Sequence, residues 1–196
     1  MKSNFITKKI IAGKFKNKTI KLPPKTTTRS SKAIVLESFF NTIQFEIIDS
    51  TFVELFSGSG SIGLEALSRG AAKIIFMEKN SEALKVLREN IAQMDPSSCE
   101  VYSGDTFSNI STVVKNLQKR NLKAYFYIDP PFSTREGMEE IYDKTVSLIA
   151  TLPKECVKLI IIEHMSTLVI PDEIGSFCVQ KVKKFGNTTL SYLQSE

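Results

Sequence analysis

Five short apolar runs punctuate the middle of the chain: "TFVELF", "KIIFME", "CEVYSGD", "AYFYID" and "KLIIIEH". Between them the apolar positions recur at helical spacing, predicting helices over Ile62–Arg69, Ser81–Ala92, Asn109–Lys119 and Gly137–Ala150. Asn80 is a suitable helix start and Gly70 a suitable stop. Apolar strands alternating with amphipathic helices give βαβ units, hence an α/β chain whose mostly parallel sheet is covered on both faces. Ahead of this region "KAIVLESFFNTI" places Ile34, Val35, Phe39 and Ile43 near one face of a further helix. The ends differ in kind. "SFCVQKVKKFGNTTLSYL" has two strand-like runs joined through Gly186-Asn187, the pattern of an antiparallel hairpin, and "FITKKIIAGKFKNKTIKL" predicts a second hairpin around Gly-Lys-Phe-Lys-Asn. "LPPKTTTRSS" reads as a linker, because Pro23 and Pro24 bar regular structure and Ser30 or Ser31 can cap the next helix. The expected division is a hairpin extension over residues 1–30 and a main domain over 31–196.

With 196 residues, 42% of them hydrophobic, the chain can bury one good core but has no room for a dinucleotide-binding domain and a full substrate domain together. No apolar run approaches the roughly 18 residues of a membrane span, and the N-terminus lacks a leader's apolar core, so a cytoplasmic protein without membrane contact is expected. Cys99, Cys156 and Cys178 form no C-x-x-C pair and are expected as small buried apolar residues. A single histidine, His164, argues against a histidine metal site or a catalytic triad, and no metal is expected. The net charge of +5 is unevenly placed: residues 1–32 hold ten basic residues and no acidic one, while the rest of the chain nets −5. A solvated basic tail would have this composition. The strand-like intervals favour instead a hairpin that holds Lys14, Lys16 and Lys18, with Arg29 beyond it, as a fixed array of cations facing a phosphate backbone.

"VELFSGSGSIGLEALSRGA" runs from strand through a glycine turn into a helix. Gly58, Gly60 and Gly63 fit G-x-G-x-x-G, and Glu78 stands at the right distance to accept both hydroxyls of a ribose. That pattern serves the adenosine half of NAD and of S-adenosylmethionine alike. Ligands of open α/β sheets bind at the carboxyl ends of the strands, where Glu54, Glu78, Asp105 and Asp129 all fall. Asp105 suits an adenine amino group or the cap of the helix after it. The amides of Ser57 to Gly60 would face the rest of the cofactor, and Phe56, Lys79 and Thr106 complete the candidate cofactor residues.

"YIDPPF" separates the alternatives. Two prolines remove two backbone donors and fix φ twice, so the carbonyls after Asp129 are held stiffly. An exocyclic amine on a nucleobase is a poor nucleophile because its lone pair is delocalised into the ring. The Asp129 carboxylate and the Pro130 carbonyl, accepting from its two N–H groups, would direct that lone pair at a methyl carbon. Pro131 would brace the corner, and Phe132 would stack on the base, a contact worth ~1–3 kcal/mol.

Taken in order, "IIAGKFKNKTIKLP", "ELFSGSGSIGLEALSRGA", "FMEKN", "DPPF" and "KKFGNTTLS" resemble the bacterial small-subunit (16S) rRNA guanine-N2 methyltransferase family, the RsmD type, over nearly the whole chain. The resemblance implies a Rossmann-like class I methyltransferase fold: a mostly parallel seven-stranded sheet ending in an antiparallel hairpin, with a small N-terminal hairpin added. It implies S-adenosylmethionine as donor, and as acceptor a guanine of 16S rRNA in the small subunit or its assembly intermediate. The enzyme is expected as a monomer. Glu54, Gly58, Gly60 and Glu78 match the family's cofactor residues, and Asp129, Pro130, Pro131 and Phe132 its catalytic loop. The chain departs from the pattern in "RSSKAIVLESFFN": Arg29, Glu37, Phe40 and Asn41 are kept, but Ala33, Ile34 and Leu36 stand where the family has an Asp and two Arg. Three other readings compete: an adenine-N6 or glutamine-amide methyltransferase with a related loop, an NAD-dependent oxidoreductase, and an RNA-binding assembly factor with weakened catalysis.

Overall fold

The computed structural model describes residues 6–23, 33–131 and 140–196. The chain forms two compact units, one up to Asp105 and one from Thr106 to Glu196.

In the first unit, β3 (Thr51–Leu55), β4 (Lys73–Glu78) and β5 (Cys99–Ser103) pair in parallel in the order β5-β4-β3. β3 is buried along its whole length, as the continuous apolar run predicts for a strand covered on both faces. Helix α1 (Ala33–Thr42) contributes Phe39 and Phe40, whose rings lie 6.2 and 6.4 Å from that of Phe52 on β3. Its buried face is Val35, Leu36, Phe39 and Phe40, so the expected register is turned: Ile34 lies outside, 60% exposed. Of the three positions that depart from the family pattern, Ala33 and Ile34 are at the surface, whereas Leu36 belongs to the core. An arginine at 36 would have to leave this core; leucine exchanges a charge for packing.

Helix α2 (Ser61–Ser68) comes directly after the glycine turn and ends before Gly70, whose φ of 110° only glycine adopts readily. Helix α3 (Ser81–Ala92) starts where expected, with the Asn80 side chain accepting from the Ala83 amide at 2.9 Å.

The N-terminal hairpin, β1 (Thr7–Lys9) with β2 (Thr19–Lys21), is fastened onto these two helices. Glu65 of α2, 1% exposed, accepts from the amides of Ile11 at 2.8 Å and Ala12 at 3.1 Å and from Arg69 Nε at 2.8 Å. Ser68 donates to the Ala12 carbonyl at 2.5 Å and accepts from the Phe15 amide at 2.9 Å. The chain passes so close that a Cβ on Gly13 would lie 1.8 Å from the Ser68 carbonyl oxygen. On α3, Asn90 pairs with the Lys21 backbone as a strand would, accepting from its amide and donating to its carbonyl, both at 2.9 Å.

The second unit holds helices α4 (Thr106–Lys119) and α5 (Ile141–Ala150). Its strands are β6 (Ala124–Ile128), β7 (Val157–Met165), β8 (Glu173–Ile174), β9 (Phe177–Phe185) and β10 (Thr188–Ser195). β6 and β7 are parallel; β10 runs antiparallel to β7 and β9, and β9 to β8. The terminal hairpin turns at Gly186 (φ 65°), as the Gly-Asn pair predicts. Helix α4 begins three residues before the expected Asn109, and residues 137–139 of the next expected helix lie outside the described residues.

Apart from the N-terminal hairpin, the described residues contain eight strands where seven were expected. The extra one, β8, has two residues, too few to show alternation in sequence. Of the cysteines, Cys156 is buried as expected, but Cys99 and Cys178 are only half-buried; all three are free thiols. Among the described residues no helix is long and apolar enough to cross a membrane.

Candidate active site

Strand β3 runs straight into the glycine turn, and the turn is built by backbone conformations that few side chains tolerate. Phe56, Gly58 and Gly60 all have positive φ, at 58°, 54° and 77°. For Phe56 this is a strained backbone, of order 1 kcal/mol or more, held by its surroundings. The three glycines do different work. A Cβ on Gly60 would meet Leu87 at 2.4 Å, and one on Gly63 would meet Phe76 at 2.5 Å and the Glu54 carboxylate at 2.9 Å, so both allow α2 to pack closely on its neighbours. Around a Cβ built on Gly58 no atom of the described residues lies within 4 Å, so among them it is φ and not crowding that calls for glycine there.

The acids around this turn are engaged by the protein itself. Glu78, at the end of β4, accepts from the Gly58 amide at 2.6 Å and from the amides of Lys79 and Asn80 at 2.9 and 2.7 Å. A carboxylate has about four acceptor directions, so a ribose diol must share this carboxylate with, or displace, one of those amides. Glu54, 4% exposed, accepts from the amides of Ile62 and Gly63 at 3.3 and 2.8 Å. Since Gly60 has no side chain to cap α2, Glu54 does so from the neighbouring strand. Burial pushes its pKa up to about 8, against the downward pull of the two helix amides. Ser57 locks the strand ends together: its hydroxyl donates to the Glu54 carbonyl at 2.7 Å and accepts from the Met77 amide at 2.9 Å.

Asp105 and Lys79 are exposed, and Thr106 is buried at the first turn of α4. Asp129 is half-buried directly after β6, Pro130 is buried and Pro131 half-buried. Phe132 and Arg29 lie outside the described residues. On the hairpin Lys14 and Lys16 are exposed; Lys18 is half-buried and donates to the Gln93 carbonyl. The ammonium groups of Lys14 and Lys18 lie 5.1 and 5.6 Å from the Phe15 ring centre.

Several residues that matter here are silent in the sequence. Asn90, besides holding Lys21, donates to the Ser59 carbonyl inside the glycine turn at 3.0 Å, so one buried amide ties hairpin to turn. In the second unit Glu163 of β7, 8% exposed, accepts from the Tyr127 hydroxyl at 2.6 Å. A lone acid inside "KLIIIEHM" was the available signal for it. His164 is a structural histidine, its ring nitrogens 2.9 Å from the Ser191 hydroxyl and the Met165 carbonyl, with burial lowering its pKa. Among the described residues no group of acids, cysteines and histidine could hold a metal.

A glycine turn tied to an acid at the end of the next strand, parallel strands with helical crossovers, and a closing antiparallel hairpin define a class I methyltransferase fold. Two solved structures share it: the Escherichia coli protein yhhF, described as a methyltransferase (TM-score 0.77, 22% identity, 97% of this chain and 98% of that one), and the methylase HI0767 of Haemophilus influenzae (0.68, 22%, 96% and 98%). The chain belongs to the family described as Conserved hypothetical protein 95, which it matches over residues 8–194. Relatives include YlbH of Bacillus subtilis, named as an rRNA methyltransferase (26% identical over 92% of this chain and 95% of that one). Another is the ribosomal RNA small subunit methyltransferase D of Escherichia coli K12 (29% identical over 72% of this chain and 66% of that one).

Proposed function

We propose that this protein transfers a methyl group from S-adenosylmethionine to rRNA, and that the acceptor is the N2 amine of a guanine in 16S rRNA, within the small subunit or its assembly intermediate. The observation that carries the reading is the Asp129-Pro130-Pro131 corner leaving the buried strand β6: a half-buried carboxylate and, immediately after it, a carbonyl whose direction two prolines fix. Family membership and the small-subunit rRNA methyltransferase named among its relatives support it, and so does the structure of SMU.776, of the same fold and described as complexed with SAH (TM-score 0.56, 14% identity, 79% of this chain and 48% of that one).

The surroundings of Gly58, where no described residue crowds a Cβ and the Glu78 carboxylate holds the amide, suit the ribose and methionine parts of the cofactor; Glu54, Phe56, Ser57, Gly60, Lys79, Asp105 and Thr106 are the further cofactor contacts of this proposal. The bound cofactor supplies a sulfonium methyl. Asp129 and the Pro130 carbonyl accept the two N–H groups of the amine and aim its lone pair. Held in this way the amine would take the methyl, leaving the C–S electron pair with the cofactor's sulfur, and the proton then shed by nitrogen would pass to water. No strong base is needed; alignment supplies much of the acceleration. Phe132 stacks on the base, and Lys14, Lys16, Lys18 and Arg29 meet phosphates. The protein acts as a cytoplasmic monomer, its residues 1–30 serving RNA contact and residues 31–196 catalysis.

Labelled methyl transfer to unmethylated small subunits, naked rRNA and DNA in parallel, with nucleoside analysis of each product, tests the proposal. N2-methylguanosine from the subunits is the expected product. N6-methyladenosine, or label only in protein or DNA, overturns it.

A further inference from the structure

β6 and β7 are parallel neighbours with Tyr127 opposite Ile161 and Ile128 opposite Ile162. Side chains two apart on a strand share a face. Tyr127 therefore lies on the same side as Ile161 and Glu163; Asp129 follows β6 and Glu163 follows Ile162 on β7, each one residue past the Ile128–Ile162 pair. The Tyr127 hydroxyl, itself fully buried, holds Glu163 through a 2.6 Å bond to Oε2. A third group converges on them from α5. Tyr142 is 6% exposed, and its hydroxyl, near the Met165 backbone, makes no hydrogen bond of good geometry among the described residues; it feels the charge of both Asp129 and Glu163. A buried hydroxyl left in this state, near enough to two acids to feel their charge, is costly unless an outside group completes it.

Guanine carries such a set on its Watson–Crick edge: the N2 amine, the N1–H donor beside it and the O6 acceptor beyond. Adenine differs where it counts, presenting a lone pair at N1, which a carboxylate repels. We infer that Glu163, pinned by Tyr127, accepts the N1–H of the target guanine and so selects guanine, with the Tyr142 hydroxyl available to O6. The inference rests on the guanine-N2 reading above. It gives Asp129 and Glu163 separate tasks, one aiming the amine and the other reading the ring nitrogen next to it.

The test uses the full-length protein and small subunits reassembled with rRNA carrying either guanine or 2-aminopurine at the methylated position. 2-Aminopurine keeps the 2-amino group but has a lone pair at N1. The wild-type protein should favour guanine strongly in kcat/KM. Glu163→Gln, whose amide can donate to that lone pair, should lose roughly ten- to a hundredfold on guanine. It should lose little on 2-aminopurine, so that the preference falls at least tenfold. Glu163→Asp, which keeps the acceptor and shortens its reach, should lose activity yet still prefer guanine, and so controls for folding and for the missing O6. An equal loss on both bases in Glu163→Gln, with N2-methylguanosine still the wild-type product, overturns the inference and leaves the function standing. A different wild-type product overturns both.

Discussion

Replacing Glu65 by alanine should unfasten the N-terminal hairpin, and the structure gives the size of the effect. The carboxylate is 1% exposed and serves three donors: the Ile11 and Ala12 amides and the Arg69 guanidinium, which is 14% exposed and lies 4.8 Å from the Phe40 ring centre. Taking away one partner of a buried ion pair costs ~3–5 kcal/mol, chiefly because the remaining charge stays buried. Each orphaned amide adds ~1–3 kcal/mol unless water reaches it. Ile11 and Ala12 are half-buried, so water will recover much of that second cost, which leaves about 4 kcal/mol for the substitution. Against a total stability of ~5–15 kcal/mol this is a large fraction. Urea unfolding should show the midpoint moved down by more than about 1 M, given a slope of ~2–3 kcal/mol/M. Hydrogen exchange should show the Ile11 and Ala12 amides losing protection first. Glu65→Gln, which retains an acceptor of the same shape, should lie between. If Glu65→Ala costs less than about 1 kcal/mol and those amides stay protected, the hairpin is held by something other than this carboxylate.

Asp129→Ala should abolish methyl transfer while calorimetric binding of S-adenosylmethionine survives; retained activity would remove Asp129 from the chemistry. Because the folded pKa of Glu54 is raised to about 8 from an ordinary 4.5, the native state holds a proton there that the unfolded chain has released. That contribution to stability is complete below about pH 4.5 and fades by ~1.4 kcal/mol per pH unit up to pH 8. Glu54→Gln should flatten that slope in unfolding curves, and an unchanged slope would mean that Glu54 is ionised in the fold. Substituting Lys14 and Lys16 by Gln should reduce the slope of log affinity for rRNA against log salt by about 0.7–0.9 for each phosphate no longer neutralised. Adding Lys18→Gln should also cost stability, because its ammonium holds the Gln93 carbonyl. No change in the salt dependence would take the hairpin out of the interface.

The sequence by itself determined the longer elements and their order, though not the two-residue β8. Continuous apolar runs such as "AYFYI", short and rich in aromatics, read as strands covered on both faces, Asn80 marked a helix start, and Gly186-Asn187 marked a turn. It also located Glu78 and Asp129 at strand ends, because local patterning sets where a strand stops. What it left open are properties of packing between segments distant in the chain. Nothing near Glu65 shows that it caps hairpin amides more than fifty residues away, nor anything near Asn90 that one amide holds both Lys21 and the Ser59 carbonyl. Helical spacing placed Ile34 inside and said little of Leu36, since a periodicity of apolar residues fixes a helix but not which side its neighbours cover. Glu163 is legible as an oddity in an apolar strand, but only the parallel register of β6 and β7 puts it one residue past the partner of Ile128, under the Tyr127 hydroxyl. Tertiary contact decides these matters because burial and hydrogen-bond partners are set by three-dimensional neighbours, which a one-dimensional pattern of polarity does not contain.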